Sequence, residues 1–185
     1  DSGGGFARVY PSRLAGVALS GEDVRCYTLN AAGEIDRLVL QNVTGDTRPY
    51  VYLSGVEDSS SEMNTSVRYT YIQDGQTQSI SGGMKYSVQA GGAMLVQEKG
   101  TLKSLRQLAP VRLDSLTALS ALGDGREYPL AEEVQVLLMD DSGGRSYYPA
   151  QLSQIDPEHY SLTGWYDDLG FSAGGRIRII IAVPR

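Results

Sequence analysis

Val24-Arg25-Cys26-Tyr27-Thr28-Leu29, then Asn30-Ala31-Ala32-Gly33, then Glu34-Ile35-Asp36-Arg37-Leu38-Val39-Leu40, reads as strand, turn, strand. The first run alternates, with Val24, Cys26 and Thr28 on one face and Arg25, Tyr27 and Leu29 on the other. Gly33 offers the positive φ that a tight reversal needs. The third run becomes apolar towards its end, as a returning strand does.

The same grammar continues outward. Asn42-Val43-Thr44-Gly45-Asp46 is a second turn, and residues 50–53 are a further strand. Residues 67–72 alternate β-branched and aromatic side chains, Asp74-Gly75 turns the chain, and 76–80 return. Residues 86–88 and 93–96 flank Gly91-Gly92 as a short hairpin. After Gly123-Asp124-Gly125, strands are expected at 126–130, 133–139, 147–148, 162–166 and 176–183, with a turn at 140–144. Tyr is abundant (12) and Phe scarce (2), which suits half-buried sheets with wet hydroxyls.

One helix is expected over 102–109. Thr101 caps it, Leu102, Leu105 and Leu108 sit three apart, and Pro110 ends it. Leu113, Leu116, Leu119 and Leu122 keep the same spacing, and periodicity leaves a second helical turn and a strand both open. The class is all-β with one or two short helices, built as small barrel-like or sandwich units. Residues 1–13 read as a linker or N-terminal extension, 14–100 as a first β unit and 101–185 as a second. The joint lies near 100–112, and one continuous domain is the other reading. Residues 56–66, with Glu57-Asp58-Ser59-Ser60-Ser61-Glu62, read as an exposed loop.

An internal echo bears on that division. Residues 31–40 and 173–182 align at Gly33/Gly175 and Ile35/Ile177, and both then turn apolar. Upstream, Cys26-Tyr27 stands opposite Gly164-Trp165-Tyr166. A duplicated β unit accounts for this; two unrelated hairpins account for it equally well.

Composition removes several functions. The chain has 185 residues, and its charge is 16 − 22 = −6 with no basic run, against nucleic-acid binding and docking on an anionic membrane. One Cys and one His leave no zinc site of the usual ligands and no internal disulfide, so neither metal nor cofactor is expected. The longest apolar run, 179–183, is far shorter than the roughly 20 residues of a spanning helix. It reads as a buried strand, with no membrane insertion. A start at Asp1, with no signal-peptide pattern, reads as a piece of a longer protein.

No catalytic set emerges. His159 lies in the polar run Asp156-Pro157-Glu158-His159-Tyr160 and reads as an exposed turn residue. Cys26 reads as a small core residue, because Arg25 points to the opposite face. Asp140-Asp141 and Asp167-Asp168 read as solvated turns; the alternatives are a Ca²⁺ contact or a carboxylate pair for glycoside hydrolysis. Gly82-Gly83, Gly91-Gly92 and Gly143-Gly144 read as turns. Asn42-Val43-Thr44 and Asn64-Thr65-Ser66 match the N-glycosylation pattern, a match that arises often by chance. The aromatic set Tyr50, Tyr52, Tyr69, Tyr71, Tyr147, Tyr148, Trp165 and Tyr166 fits cross-strand pairing or a sugar-stacking platform. The platform would centre on Trp165, Tyr166, Tyr147 and Tyr148.

The run 24–40 followed by Asn42-Val43-Thr44-Gly45-Asp46 resembles β-rich modules of clostridial cell-surface proteins that carry S-layer homology repeats. The close, Leu162-Thr163-Gly164-Trp165-Tyr166-Asp167 and Gly174-Gly175-Arg176-Ile177-Arg178-Ile179-Ile180-Ile181-Ala182, is similar to the end of the same region. The resemblance spans most of 17–183. It implies an extracellular, cell-wall-associated setting in a Gram-positive anaerobe, and it supplies no catalytic residues. The S-layer homology repeats themselves are not recognisable here, so anchoring would belong to other parts of the chain.

The expectation is therefore a non-catalytic spacer, scaffold or adhesion module of a surface protein. Its partners would be cell-wall polysaccharide or other surface proteins. A carbohydrate-binding module is the alternative, and a carboxylate-based wall hydrolase a third reading. Ile35, Leu38, Leu40, Val136, Leu138, Ile177, Ile179 and Ile181 are expected to be buried.

Overall fold

The computed structural model describes residues 5–185, so residues 1–4 of the expected linker lie outside the described part. The protein is all-β. Among the described residues the only helical elements are three single 3-10 turns, at Pro11–Leu14, Gly21–Asp23 and Leu152–Gln154. The chain forms two compact units: one of residues up to Thr47 with Asp168–Gly175, the other of Arg48–Asp167 with Arg176–Arg185.

The smaller unit holds a two-stranded ribbon, β1 (Val24–Leu29) and β2 (Ile35–Leu40). Its turn is fixed by Asn30, whose Oδ1 accepts the N–H groups of Ala32 and Glu34, both at 2.9 Å, while Gly33 takes φ 82°. Tyr27 pairs with Leu38 and Leu29 with Ile35, so the four side chains share one face. That face is open: Ile35 is 57% and Leu38 42% exposed. Their expected burial is corrected here, and Leu40 is half-buried. Alternation tells which residues share a face, but a two-stranded ribbon brings no second layer to cover it. Cys26 is likewise exposed rather than in the core.

The larger unit has two sheets. The first runs β3 (Tyr50–Asp58), β4 (Val67–Gln73), β5 (Gln76–Gly82), β6 (Gly91–Glu98) and β7 (Thr101–Gln107), in the order β5-β4-β3-β6-β7. Its outer strands β5 and β7 approach each other, curling the sheet around Val51, Leu53, Val67, Tyr69, Tyr71, Leu95 and Leu105. The second uses β8 (Ala109–Leu113), β9 (Ser115–Leu116), β10 (Ser120–Gly123), β11 (Arg126–Asp140), β12 (Ser146–Ala150), β13 (Tyr160–Tyr166) and β14 (Ile177–Pro184). Its order is β8-β13-β14-β11-β10-β9, with β12 on β11. Strands β8 and β10 come together through the Asp114 N–H bond to Leu122 O at 2.7 Å and the packing of Gly123 on Arg112 O. Strand β14 lies antiparallel to β13 and parallel to β11. It is buried on both faces, as a near-continuous apolar run requires.

The helix expected over 102–109 is instead β7 and the start of β8. Gln97 pairs with Leu102 and Val96 with Ser104, so Lys103 is an extra residue in the ladder. This bulge turns a period of two into a spacing of three, and Leu102 and Leu105 both face inward. Within the joint expected near 100–112, residue 100 lies in the β6–β7 hairpin, inside one sheet, and the chain passes from the first sheet to the second at Leu108. Gly91 and Gly92 are strand residues of β6, not a turn. The echo pairs two antiparallel strand-turn-strand segments, with Ile35 opposite Leu29 and Ile177 opposite Tyr166. Val136, Ile177, Ile179 and Ile181 are buried as expected, and Leu138 is half-buried.

Leu95 and Ile180 belong to separate cores. Leu95→Ala and Ile180→Ala are each expected to cost about 2–5 kcal/mol, and the double variant to sum within about 0.5 kcal/mol. Denaturant unfolding of the four proteins checks this; strong coupling between the two sites would show a single shared core.

Candidate functional site

Asp167, in the interior of the larger unit, is a fully buried carboxylate. The reading of Asp167-Asp168 as a solvated turn is corrected for the first of the pair. Three donors converge on it. Tyr50 Oη donates to Oδ2 at 2.7 Å, Arg178 Nε donates to Oδ2 at 2.5 Å, and the Arg176 N–H donates to Oδ1 at 2.6 Å. The Arg178 guanidinium also stands 4.6 Å from the centre of the Tyr50 ring. On the backbone, the Asp167 N–H bonds to Arg176 O at 3.0 Å, and Gln135 Nε2 reaches Tyr50 O at 2.8 Å.

Local structure explains the aim of these groups. Tyr50 and Tyr52 share one face of β3, while Val51 and Leu53 fill the core of their own sheet from the other. Along β14, Ile179 pairs with Trp165 and Ile177 with Tyr166, so Arg178 is the bulged residue of that ladder. The bulge turns its side chain towards Asp167 instead of continuing the apolar alternation. A buried charge is costly unless paired and hydrogen-bonded, and this carboxylate has both.

Beside this cluster runs an aromatic seam. Tyr52 meets Tyr147 at 4.9 Å between ring centres and Trp165 at 6.4 Å, edge to face. Trp165 lies against the backbone of Gly91 and Gly92, where any Cβ would overlap its indole. Glycine is therefore needed at both positions for close approach rather than for a turn. Burial, followed by the Tyr147 hydrogen bond, pushes the Tyr52 hydroxyl above its ordinary pKa.

The expected platform is not assembled as one open face. Trp165 is 8% exposed and Tyr148 54%. Tyr166 is half-buried and packs on Tyr128 at 5.0 Å, with Arg126 over both rings, and Tyr147 packs on Tyr52. Three of the four rings thus have aromatic partners, but not as cross-strand pairs: Tyr52 comes from the other sheet, and β14 lies between the strands of Tyr128 and Tyr166. His159 is exposed and bonds Asp156 through Nδ1 at 2.9 Å; the His159 N–H and ring together hold that carboxyl below its usual range. Asp140 accepts the Ser142 N–H in a turn at 2.9 Å, and Asp141 faces Arg145 at 3.9 Å. Among the described residues no three His, Cys, Asp or Glu side chains gather as a metal site, and no helix is long and apolar enough to cross a membrane.

Sequence reasoning missed Asp167 and its donors Arg176 and Arg178. The signal was present in Arg176-Ile177-Arg178 opening a run of isoleucines. Two guanidiniums entering a strand buried on both faces demand a carboxylate nearby.

Asp167→Ala is expected to destabilise the larger unit by about 3–5 kcal/mol, because it leaves Arg178 buried without its carboxylate. Tyr50→Phe, which removes one donor to a charged acceptor, costs about 1.5–3 kcal/mol. Chemical denaturation measures both, and near-zero costs would show that water replaces the partners. Trp165, 8% exposed, is expected to show blue-shifted emission that resists iodide quenching, and a red-shifted, readily quenched emission would contradict its burial.

No protein-family profile, curated protein or solved structure matches this chain.

Proposed function

We propose that this chain is a non-catalytic, load-bearing spacer of an exported bacterial surface protein of the S-layer type. One observation carries the reading. The first strand of the larger unit is tied to its last by buried, charge-assisted bonds: Tyr50 of β3 to Asp167, and Asp167 to Arg178 of β14. Tension arriving at Tyr50, at the start of β3, loads this cross-link directly, and tension leaving at Arg185 reaches Arg178 through the ladders of β14. Strand β14 also has ladders on both sides, so extracting it breaks two sets of hydrogen bonds together. The resemblance of 24–46 and 162–182 to S-layer-associated modules supports the extracellular, wall-associated setting. Wall polysaccharide and other surface proteins are the partners this setting supplies, reached through other parts of the same polypeptide.

Single-molecule pulling on the chain, attached next to Arg48 and Arg185, tests the reading. Tyr50→Phe should lower the peak unfolding force more than a core substitution such as Leu95→Ala with an equal or larger equilibrium cost. Equal force losses at equal stability loss would remove the mechanical role. A parallel screen with peptidoglycan and wall polysaccharide should give no saturable binding. Saturable binding abolished by Tyr148→Ala would overturn the spacer in favour of a carbohydrate-binding module.

A further inference from the structure

Residues 168–175 leave β13 after Asp167, return to β14 at Arg176, and belong to the smaller unit. The ends of this excursion are pinched together by the reciprocal bonds of Asp167 and Arg176. Within it, Gly170 and Gly174, at φ 77° and 75°, bracket a three-residue head, Phe171-Ser172-Ala173. The Gly174 N–H closes that head on Phe171 O at 2.8 Å.

Every residue of the head engages the N-terminal segment of its unit. The Phe171 ring lies against the backbone of Gly45, where φ is 70° and a Cβ would overlap the ring. The Ser172 hydroxyl donates to Asp23 Oδ1 at 2.6 Å, and the Ala173 N–H donates to Val43 O at 3.0 Å. Asp23 also receives the Ser20 N–H and hydroxyl on Oδ2 at 2.7 and 2.9 Å, and the Gln41 N–H bonds to Asp23 O at 2.8 Å. The Ser172 bond is the first cause of the lowered pKa of Asp23. Val43 and Thr44 are buried, whereas the apolar face of the ribbon is open.

A two-stranded ribbon is marginal in water by itself. Here the chain from Ser20 to Gly45 is gripped at three points by one short segment that comes from far along the sequence. We propose that residues 168–175 form a strap whose seating orders residues 20–47, so that the ribbon of the smaller unit loses its protection when the strap is unseated. Gly170 and Gly174 bracket its head, and the Gly45 backbone is the socket of Phe171. This inference is independent of the spacer reading, since it concerns order in the smaller unit alone.

Hydrogen exchange on the full chain tests it. Phe171→Ala should speed exchange of the β1 and β2 amides and of the Gln41 amide by on the order of tenfold or more. The amides of Leu95 and Ile180 should keep their rates. A crosslink should restore protection in the Phe171→Ala protein, made by Asp23→Cys with Ser172→Cys in a Cys26→Ser background. Protection of β1 and β2 that survives both Phe171→Ala and Gly45→Ala would overturn the strap, and so would a crosslink that forms without restoring it. Failure of the two cysteines to oxidise to a disulfide would also count against the seated geometry.

Discussion

The buried carboxylate of Asp167 is the constraint around which the larger unit is organised. A charge in that interior is tolerable only while a phenol, a guanidinium and a backbone N–H all remain on it. Those donors come from β3, from the bulge of β14 and from the residue just before β14, so the requirement to satisfy one acid fixes the approach of two sheets. Apolar packing alone is non-directional and tolerates sliding. The Asp167 cluster does not, and the neighbouring fit of Trp165 on Gly91 and Gly92 has the same property.

Two β-bulges give the unit features that plain alternation would not produce. The extra residue Lys103 lets Leu102 and Leu105 enter one core, and the extra residue Arg178 lets Ile177 and Ile180 enter the other. In each case inward side chains are three apart, and in the second the displaced residue carries the guanidinium that meets Asp167. Bulges re-aim side chains next to sites where sheets meet. Here the re-aimed groups are a solvated lysine in one strand and an essential partner of a buried acid in the other.

The all-β class was legible because Val-Arg-Cys-Tyr-Thr-Leu and Val-Arg-Tyr-Thr-Tyr-Ile carry their alternation locally. The 102–109 stretch was misread because a bulge and a helix both bring leucines three apart inward, and only the partner strand tells them apart. Ile35 and Ile177 occupy matching places in the two echo segments. One lies on an uncovered ribbon and the other in a strand flanked on both sides, a difference set by distant chain. Asp167 and Asp168 are likewise equivalent as neighbours in sequence. Their separate fates depend on Tyr50, more than a hundred positions earlier, and on a bulge that no local pattern announces.

The central place of β14 has a kinetic consequence. Its ladders pair residues 177–184 with β13 and residues 177–182, in parallel, with β11, so the second sheet is missing an inner strand until β14 is in place. Sheets dominated by such non-local pairings fold slowly, because loop closure must precede the contacts that reward it. During synthesis, β11 and β13 emerge first and wait with unsatisfied edges where β14 will insert. Completion of the second sheet is therefore a late event in folding, and residues 177–184 commit the larger unit to its final topology.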